Sequence, residues 1–258
     1  MMKVLAVIPA RYASTRFPGK PLALLGGKPI VDYAYGVAST TEGIARAVVA
    51  TDDERIFAHM VETYGKDSVM MTSSEHRSGT DRCGEVVERL KNEGACFDVV
   101  VNLQGDEPFV KPAQLQSLIS CFGNPAIAIA TLKTRIASSE ELFSPNNVKV
   151  VCDVNGRALY FSRQAIPFRR DVDMSAWLSK GCYYKHVGMY AFRTEILAEV
   201  CALPQSGLET SEKLEQLRWL EAGYTIAVSD TPVSNIGIDT PADLAAAEVE
   251  LAKMNEKQ

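Results

Sequence analysis

The chain has 258 residues, 47% of them hydrophobic and 23% charged, with a formal net charge of −5. That composition excludes a disordered chain and, lacking a basic excess, a binder of long nucleic acid or of an anionic membrane surface. The length accommodates one large domain or two small ones around a substantial core.

The opening MMKVLAVIPA holds an apolar run from Val4 to Ile8, shorter than the roughly 7–15 residues of a secretory signal core, and reads as a buried strand. No stretch approaches the ~20 apolar residues of a membrane span, so the expected location is the cytoplasm. Short β-branched runs follow at Ala47–Ala50, Val69–Met71, Asp98–Leu103 and Ala126–Leu132. They alternate with helical patterns at Pro29–Ser39, Asp53–Tyr64, Thr80–Asn92 and Pro112–Phe122. Such repetition predicts an α/β fold with a mostly parallel sheet covered on both faces, in which ligands gather at the carboxyl ends of the strands.

From Asn146 the pattern changes. NVKVVCDVNGRALYFS alternates like a hairpin around Val154-Asn155-Gly156, and a further strand is expected at Lys185–Phe192. The expected organisation is a core of residues 1–145 and 204–258 with an antiparallel insertion at 146–203. Exposed hairpins of this kind pair readily with a second copy, which makes a dimer plausible. A helix is predicted over Ser211–Ala222, with Leu214 and Leu217 inward and Glu215 and Gln216 off that stripe, then a strand at Tyr224–Val228 and a helix from Ala242. The six cysteines are widely spaced, without a Cys-x-x-Cys pair, and read as reduced thiols.

Three groups of residues carry chemistry. The loop after the first strand, IPARYASTRFPGK, concentrates Arg11, Arg16 and Lys20 among Pro9, Pro18 and Gly19. Solvated surface charge is the ordinary explanation, but a loop fixed by proline and glycine at a strand end lets several cations converge on a polyphosphate. It is neither a Walker A sequence nor Gly-x-Gly-x-x-Gly. Two acidic turns, VNLQGDEP with Asp106 and GIDTPADL with Asp239, are expected at the same edge. In the second, Thr240 and Asp243 form a capping box with Pro241 in the first turn, which leaves Asp239 itself free of the cap. Paired carboxylates beside a phosphate site point to a shared divalent cation, Mg²⁺ by its preference for hard oxygen ligands. Of the three histidines, only His186 lies within an apolar strand.

In order along nearly the whole chain, IPARYASTRFPGKPL, HRSGTDR, VNLQGDEP, NNVKVVCD, LYFSRQAIPFRR, KHVGMYAF, LEQLR and GIDTPADL resemble the 3-deoxy-manno-octulosonate (KDO) cytidylyltransferases, or CMP-KDO synthetases. The resemblance implies a GT-A-like, Rossmann-type nucleotide-diphospho-sugar transferase fold, a three-layer sandwich with a mostly parallel sheet and an antiparallel insertion. It implies transfer of CMP from CTP to the 2-hydroxyl of KDO with release of pyrophosphate, a step of lipopolysaccharide biosynthesis. It also implies a Mg²⁺ requirement and a homodimer formed through the insertion. Carried over by motif, Arg11, Ser14, Arg16 and Lys20 hold the CTP phosphates. Gln104, Asp106, Asp239 and Lys20 stand at the reacting centre, with Asp106 and Asp239 on the metal. Arg82, Gln104, Arg163, His186, Tyr190, Glu215 and Gln216 line the sugar pocket.

The run from Ser14 to Pro21 follows the KDO pattern and not that of CMP-sialic acid synthetases. A cytidylyltransferase for another acidic sugar, an 8-amino KDO analogue or a sialic acid, is the alternative. A silent nucleotide-binding regulator sits poorly with both acidic turns, and a Rossmann oxidoreductase with the missing glycine fingerprint.

Overall fold

The computed structural model describes residues 2–13, 16–232 and 237–255. Strand β1 (Val4–Ala10) leads to a short hairpin, β2 (Leu24–Leu25) and β3 (Lys28–Pro29). Then come α1 (Ile30–Thr40), β4 (Ile44–Thr51), α2 (Glu54–Tyr64), β5 (Val69–Met71), α3 (Gly79–Asn92), β6 (Val99–Asn102) and α4 (Pro112–Ser120). The chain continues through β7 (Ile129–Arg135), α5 (Ser139–Phe143), β8 (Lys149–Cys152), β9 (Ala158–Ser162), α6 (Trp177–Lys180) and β10 (Tyr184–Arg193). The remaining elements are α7 (Thr194–Cys201), α8 (Gly207–Glu212), α9 (Gln216–Glu221), β11 (Ile226–Asp230) and α10 (Pro241–Asn255). Contacts divide the chain into Met1–Gln116 with Asn235–Gln258, and Ser117–Ser234. The expected insertion, residues 146–203, lies inside the second of these units.

In the first unit four strands run parallel in the order β5, β4, β1, β6. Val4 to Ile8 are each 0% exposed, because β1 has a strand on either side and α1 and α3 packed against it. That is why the segment reads as a continuous apolar run without alternation. Parallel pairing of β1 with β6 brings the loops that follow them to the same sheet edge. Their approach is close: a Cβ on Gly105 would stand 2.9 Å from the Pro9 carbonyl oxygen, so glycine is needed there.

Helix α10 closes over this edge, and Ala247 joins Leu25, Ile30, Phe109 and Ile238 in one apolar cluster. Its start is the expected capping box, with the Asp243 carboxylate accepting from the Thr240 amide at 2.8 Å and the Thr240 hydroxyl accepting from the Asp243 amide at 3.2 Å. The Asp239 amide also donates to the Asp243 carboxylate at 3.0 Å, so Asp239 is not free of the cap as expected, and two residues before Thr240 the Ile238 amide donates to the Asp106 carbonyl at 3.0 Å. This bond ties the two acidic turns together.

In the second unit β7 is parallel to β11 and antiparallel to β10, and β8 pairs antiparallel with both β10 and β9. The Asp153 carboxylate accepts from the amides of Asn155 and Arg157, each at 2.8 Å, and Gly156 takes φ 75°, so the turn at Val154-Asn155-Gly156 forms as its sequence predicts. Ile136, Leu142, Trp177 and Tyr183 make a local core. It orders a stretch in which the helices α5 and α6 were not expected.

The single helix predicted over Ser211–Ala222 does not form. Lys213 adopts the left-handed conformation, φ 55°, and separates α8 from α9. The cause is distant in sequence: the Arg163 Nε donates to the Glu212 carbonyl at 2.7 Å, an oxygen that a continuous helix would give to the amide four residues on. Gln216, expected off the apolar stripe, is consequently buried, at 5% exposure.

Asp53 is the N-cap of α2, its carboxylate accepting from the Arg55 amide at 2.9 Å. Hydrogen bonding from the Arg55 side chain, above all, holds its pKa below the ordinary 3.8. Replacing Asp53 with Ala should lower unfolding stability by about 0.5–2 kcal/mol, measured by urea denaturation at neutral pH. A depressed carboxylate pKa contributes stability above the unfolded value and loses it as pH falls through the folded one. The gap between the parent and Asp53→Ala should therefore close below about pH 3.8.

Candidate active site

The loop after β1 is held by its own backbone. The Gly19 amide donates to the Tyr12 carbonyl at 2.9 Å, and Gly19 sits at φ 74°, where a Cβ would stand 3.0 Å from the Tyr12 side chain. The same ring stacks under the Arg55 guanidinium at 3.2 Å. From this frame Lys20, only 11% exposed in its side chain, places its ammonium 2.5 Å from the Asp106 carboxylate and 3.2 Å from that of Asp239. Arg16, largely exposed, adds a second cation to Asp239 at 3.0 Å. Two carboxylates remote in sequence thus stand within reach of one small cation.

Arg11 turns the other way and donates to the His76 carbonyl at 2.5 Å. Burial, and after it the neighbouring Arg82, pushes its pKa below the ordinary value. The carbonyl it uses is steadied from behind, since the His76 ring meets the Glu85 carboxylate at 2.5 Å and Glu85 also accepts from the Ser73 amide at 2.8 Å. Gln104, just beyond β6, donates to the Asn102 side chain at 3.3 Å. Arg11, Arg16, Lys20, Gly79, Gln104, Gly105 and Asp106 line one cavity of about 330 Å³, a size suited to a small ligand. A larger depression, about 410 Å³ and lined by Tyr35, Arg46 and Tyr64, gathers none of these groups. Ser14, expected among the phosphate-binding residues, lies outside the described residues.

Arg82 departs from expectation. Its side chain has 0% exposure and donates to Asp52 at 3.1 Å and to the Thr72 hydroxyl, so it braces the first unit from inside, with its Nε buried and without a protein partner.

The second unit gathers most of the other expected sugar residues. His186 and Tyr190, on β10, have ring centroids 5.3 Å apart, and Phe161 meets the His186 ring edge-on at 5.0 Å. The His186 Nε2 pairs with the Thr131 hydroxyl at 2.9 Å. Burial lowers the His186 pKa to about 3, so the ring is neutral at neutral pH. The Tyr190 hydroxyl is buried without a protein hydrogen-bond partner. Burial and then the Glu215 charge raise its pKa well above the ordinary value. Glu215 is in turn held by Arg218 at 3.0 Å. The Arg163 guanidinium donates to the carbonyls of Glu212, Pro145 and Lys213 at 2.7, 3.0 and 3.4 Å.

Sequence reasoning missed Asp52, Glu85, Lys149 and Glu212, which brace Arg82, the His76 turn and Arg163. Lys149 carried a usable signal, a charge inside the apolar strand VKVV, where an unpaired lysine is rarely tolerated.

A cytidylyltransferase family model matches residues 5–226. The chain is 54% identical to a 3-deoxy-manno-octulosonate cytidylyltransferase of Bacteroides thetaiotaomicron over 96% of its length and 97% of the relative's. It is 52% identical to the protein of the same name from Phocaeicola vulgatus, covering 96% of each chain. Among solved structures, a CMP:2-keto-3-deoxy-manno-octonic acid synthetase complexed with CTP superposes with a TM-score of 0.88 at 40% identity, over 98% of this chain and 99% of that one. The chain therefore belongs to the cytidylyltransferase family and, within it, to the 3-deoxy-manno-octulosonate cytidylyltransferases.

Proposed function

We propose that this protein transfers CMP from CTP to the 2-hydroxyl of KDO, releasing pyrophosphate and activating the sugar for lipopolysaccharide assembly. The convergence of Arg16, Lys20, Asp106 and Asp239 at the carboxyl edge of a parallel sheet carries this reading. In the reaction the sugar oxygen bonds to the α-phosphorus and the bond to the bridging β-oxygen breaks, so pyrophosphate departs. The protein's task is to position groups and neutralise charge.

Arg11, Arg16 and Lys20 hold the phosphates, and the two cations facing Asp239 take up charge as the pyrophosphate leaves. Asp106 and Asp239 fit a divalent cation, Mg²⁺ by preference, since that ion uses one or two carboxylates and draws its other ligands from phosphate and water. Among the described residues no group of three or more His, Cys, Asp or Glu side chains is arranged as a denser metal site. When bound, the ion neutralises phosphate charge and lowers the pKa of the attacking hydroxyl. Arg163, His186, Tyr190, Glu215 and Gln216 serve the acid sugar: the guanidinium meets its carboxylate, and the orphaned Tyr190 hydroxyl meets one of its hydroxyls. Gln104 stays at the reacting centre in this reading.

A homodimer forms part of the proposal. Phe168 and Met174 are 75% and 55% exposed beside the Trp177 core, an apolar surface suited to a second copy. Among the described residues no helix is long and apolar enough to cross a membrane. None of the six cysteines is joined in a disulfide, which suits the cytoplasm as the proposed location.

Pyrophosphate release with CTP, Mg²⁺ and KDO tests the reading, against controls lacking each component; release with a sialic acid or 8-amino KDO in place of KDO would transfer it to the other sugar. Asp106→Asn and Asp239→Asn should each lower turnover roughly a hundredfold or more, as the loss of several kcal/mol of charge stabilisation requires. Both should also weaken Mg²⁺ binding in calorimetric titration and leave circular dichroism unchanged. Arg16→Ala should raise the KM for CTP more than that for KDO, and the reverse order in initial-rate kinetics would move Arg16 to the sugar. Light scattering should return twice the 28.2 kDa chain mass, and Phe168→Asp should shift it towards monomer.

A further inference from the structure

We infer that Lys149 is a positioning residue for the acid sugar: its buried ammonium fixes the backbone from which Arg163 reaches the substrate carboxylate. The inference rests on the reading of Arg163 given above.

Lys149 lies on β8 with 0% exposure. Its ammonium donates to three backbone carbonyls, Ser144 at 2.9 Å, Asn147 at 2.6 Å and Arg163 at 2.5 Å. An ammonium has three hydrogens, so these bonds saturate it. Burying a charge in this way is expensive, and an apolar side chain of similar volume usually serves a strand as well or better. Geometry is what the charge supplies here. One of the three carbonyls belongs to Arg163 itself, and the other two bracket Pro145, whose carbonyl accepts from the Arg163 Nη1 at 3.0 Å. The turn before β8 is thus clamped between an ammonium and a guanidinium.

Glu212 completes the frame. Its carboxylate accepts from the Ser162 hydroxyl at 2.6 Å and from the Arg163 amide at 2.9 Å. Both backbone polar groups of residue 163 are therefore held by charges of opposite sign, the buried Lys149 ammonium and the half-buried Glu212 carboxylate. The contacts of the guanidinium use one hydrogen on Nε and one on each terminal nitrogen, leaving a hydrogen on each terminal nitrogen for a carboxylate. The residue just before β8 anchors a second member of the proposed sugar set, because the His186 amide donates to the Val148 carbonyl at 2.8 Å. A displacement of about 1 Å in such a frame is enough to cost up to about a hundredfold in rate.

The test is Lys149→Met, which keeps the stem and removes the donors, combined in a cycle with Arg163→Ala. We expect Lys149→Met to raise the KM for KDO about tenfold or more and to change the KM for CTP by less than about twofold. The double variant should be no worse towards KDO than Arg163→Ala alone, because the lysine acts through the arginine. Loss of activity in step with the folded fraction, both KM values unchanged, would overturn the inference, as would additive losses in the double variant. If Arg163→Ala itself leaves the KM for KDO unchanged, the reading of Arg163 fails, and the inference fails with it in a distinguishable way. Should Lys149→Met not fold, Lys149→Gln keeps two N–H donors and is judged by the same criteria, with a smaller expected shift.

Discussion

The Lys20 ammonium lies between two aspartates that are far apart in sequence, Asp106 and Asp239, and the chemistry of the first unit depends on that contact. Two carboxylates a few ångströms apart repel by an amount on the order of 4 kcal/mol at an effective dielectric of about 20. Lys20 and Arg16 offset that repulsion. The backbone keeps the pair together independently of the side chains, through the Ile238 amide on the Asp106 carbonyl and the apolar cluster beneath α10. Geometry and charge are thus secured separately. Exchange of one cation for another at the carboxylates would therefore leave the tie between the two turns in place.

The second unit uses cations differently. Arg163 and Lys149 are directed at backbone carbonyls, and so is Arg193, which donates to the carbonyls of Ile127, Phe122 and Asn124. Those carbonyls lie in turns or close to the ends of helices and strands, where the regular ladder does not use all of their accepting capacity. A guanidinium reaches several such oxygens at once because its donors are splayed in a fixed plane. Loops, among them the one carrying Arg163, are stiffened in this way without extending a sheet or a helix.

The fold was legible wherever local pattern and burial agree. Val4–Ile8 and Val99–Asn102 are apolar throughout because a parallel strand has core on both faces. Helices α2 and α3 announce themselves through Asp53 and Ser78, whose side chains cap them. Asp106 and Asp239 were legible as turn residues at strand and helix ends. Three features were not. The break at Lys213 is imposed by Arg163, and no window around the helix contains its cause. Arg82 reads as a polar residue near a ligand loop, yet Asp52 and Thr72 draw it wholly inside. Lys149 reveals that it is buried, but which carbonyls it serves depends on a turn and a strand end that only folding brings into contact.

The titratable groups nearest the proposed sugar set constrain the mechanism further. Burial keeps His186 neutral down to about pH 3 and holds the Tyr190 proton well above its ordinary pKa. A base so weakened gains little by accepting a proton at neutral pH, and a phenol so raised does not begin as phenolate. Both are therefore suited to hydrogen bonding and unsuited to general base catalysis. Activation of the attacking hydroxyl then falls to the charges around Asp106 and Asp239, where the carboxylates and cations are concentrated. On the proposed reading, Arg163, His186 and Tyr190 would serve to recognise the sugar, and Lys20, Arg16, Asp106 and Asp239 would supply the electrostatics. Loosening the frame around Arg163 should accordingly disturb sugar recognition first and phosphate chemistry only through it.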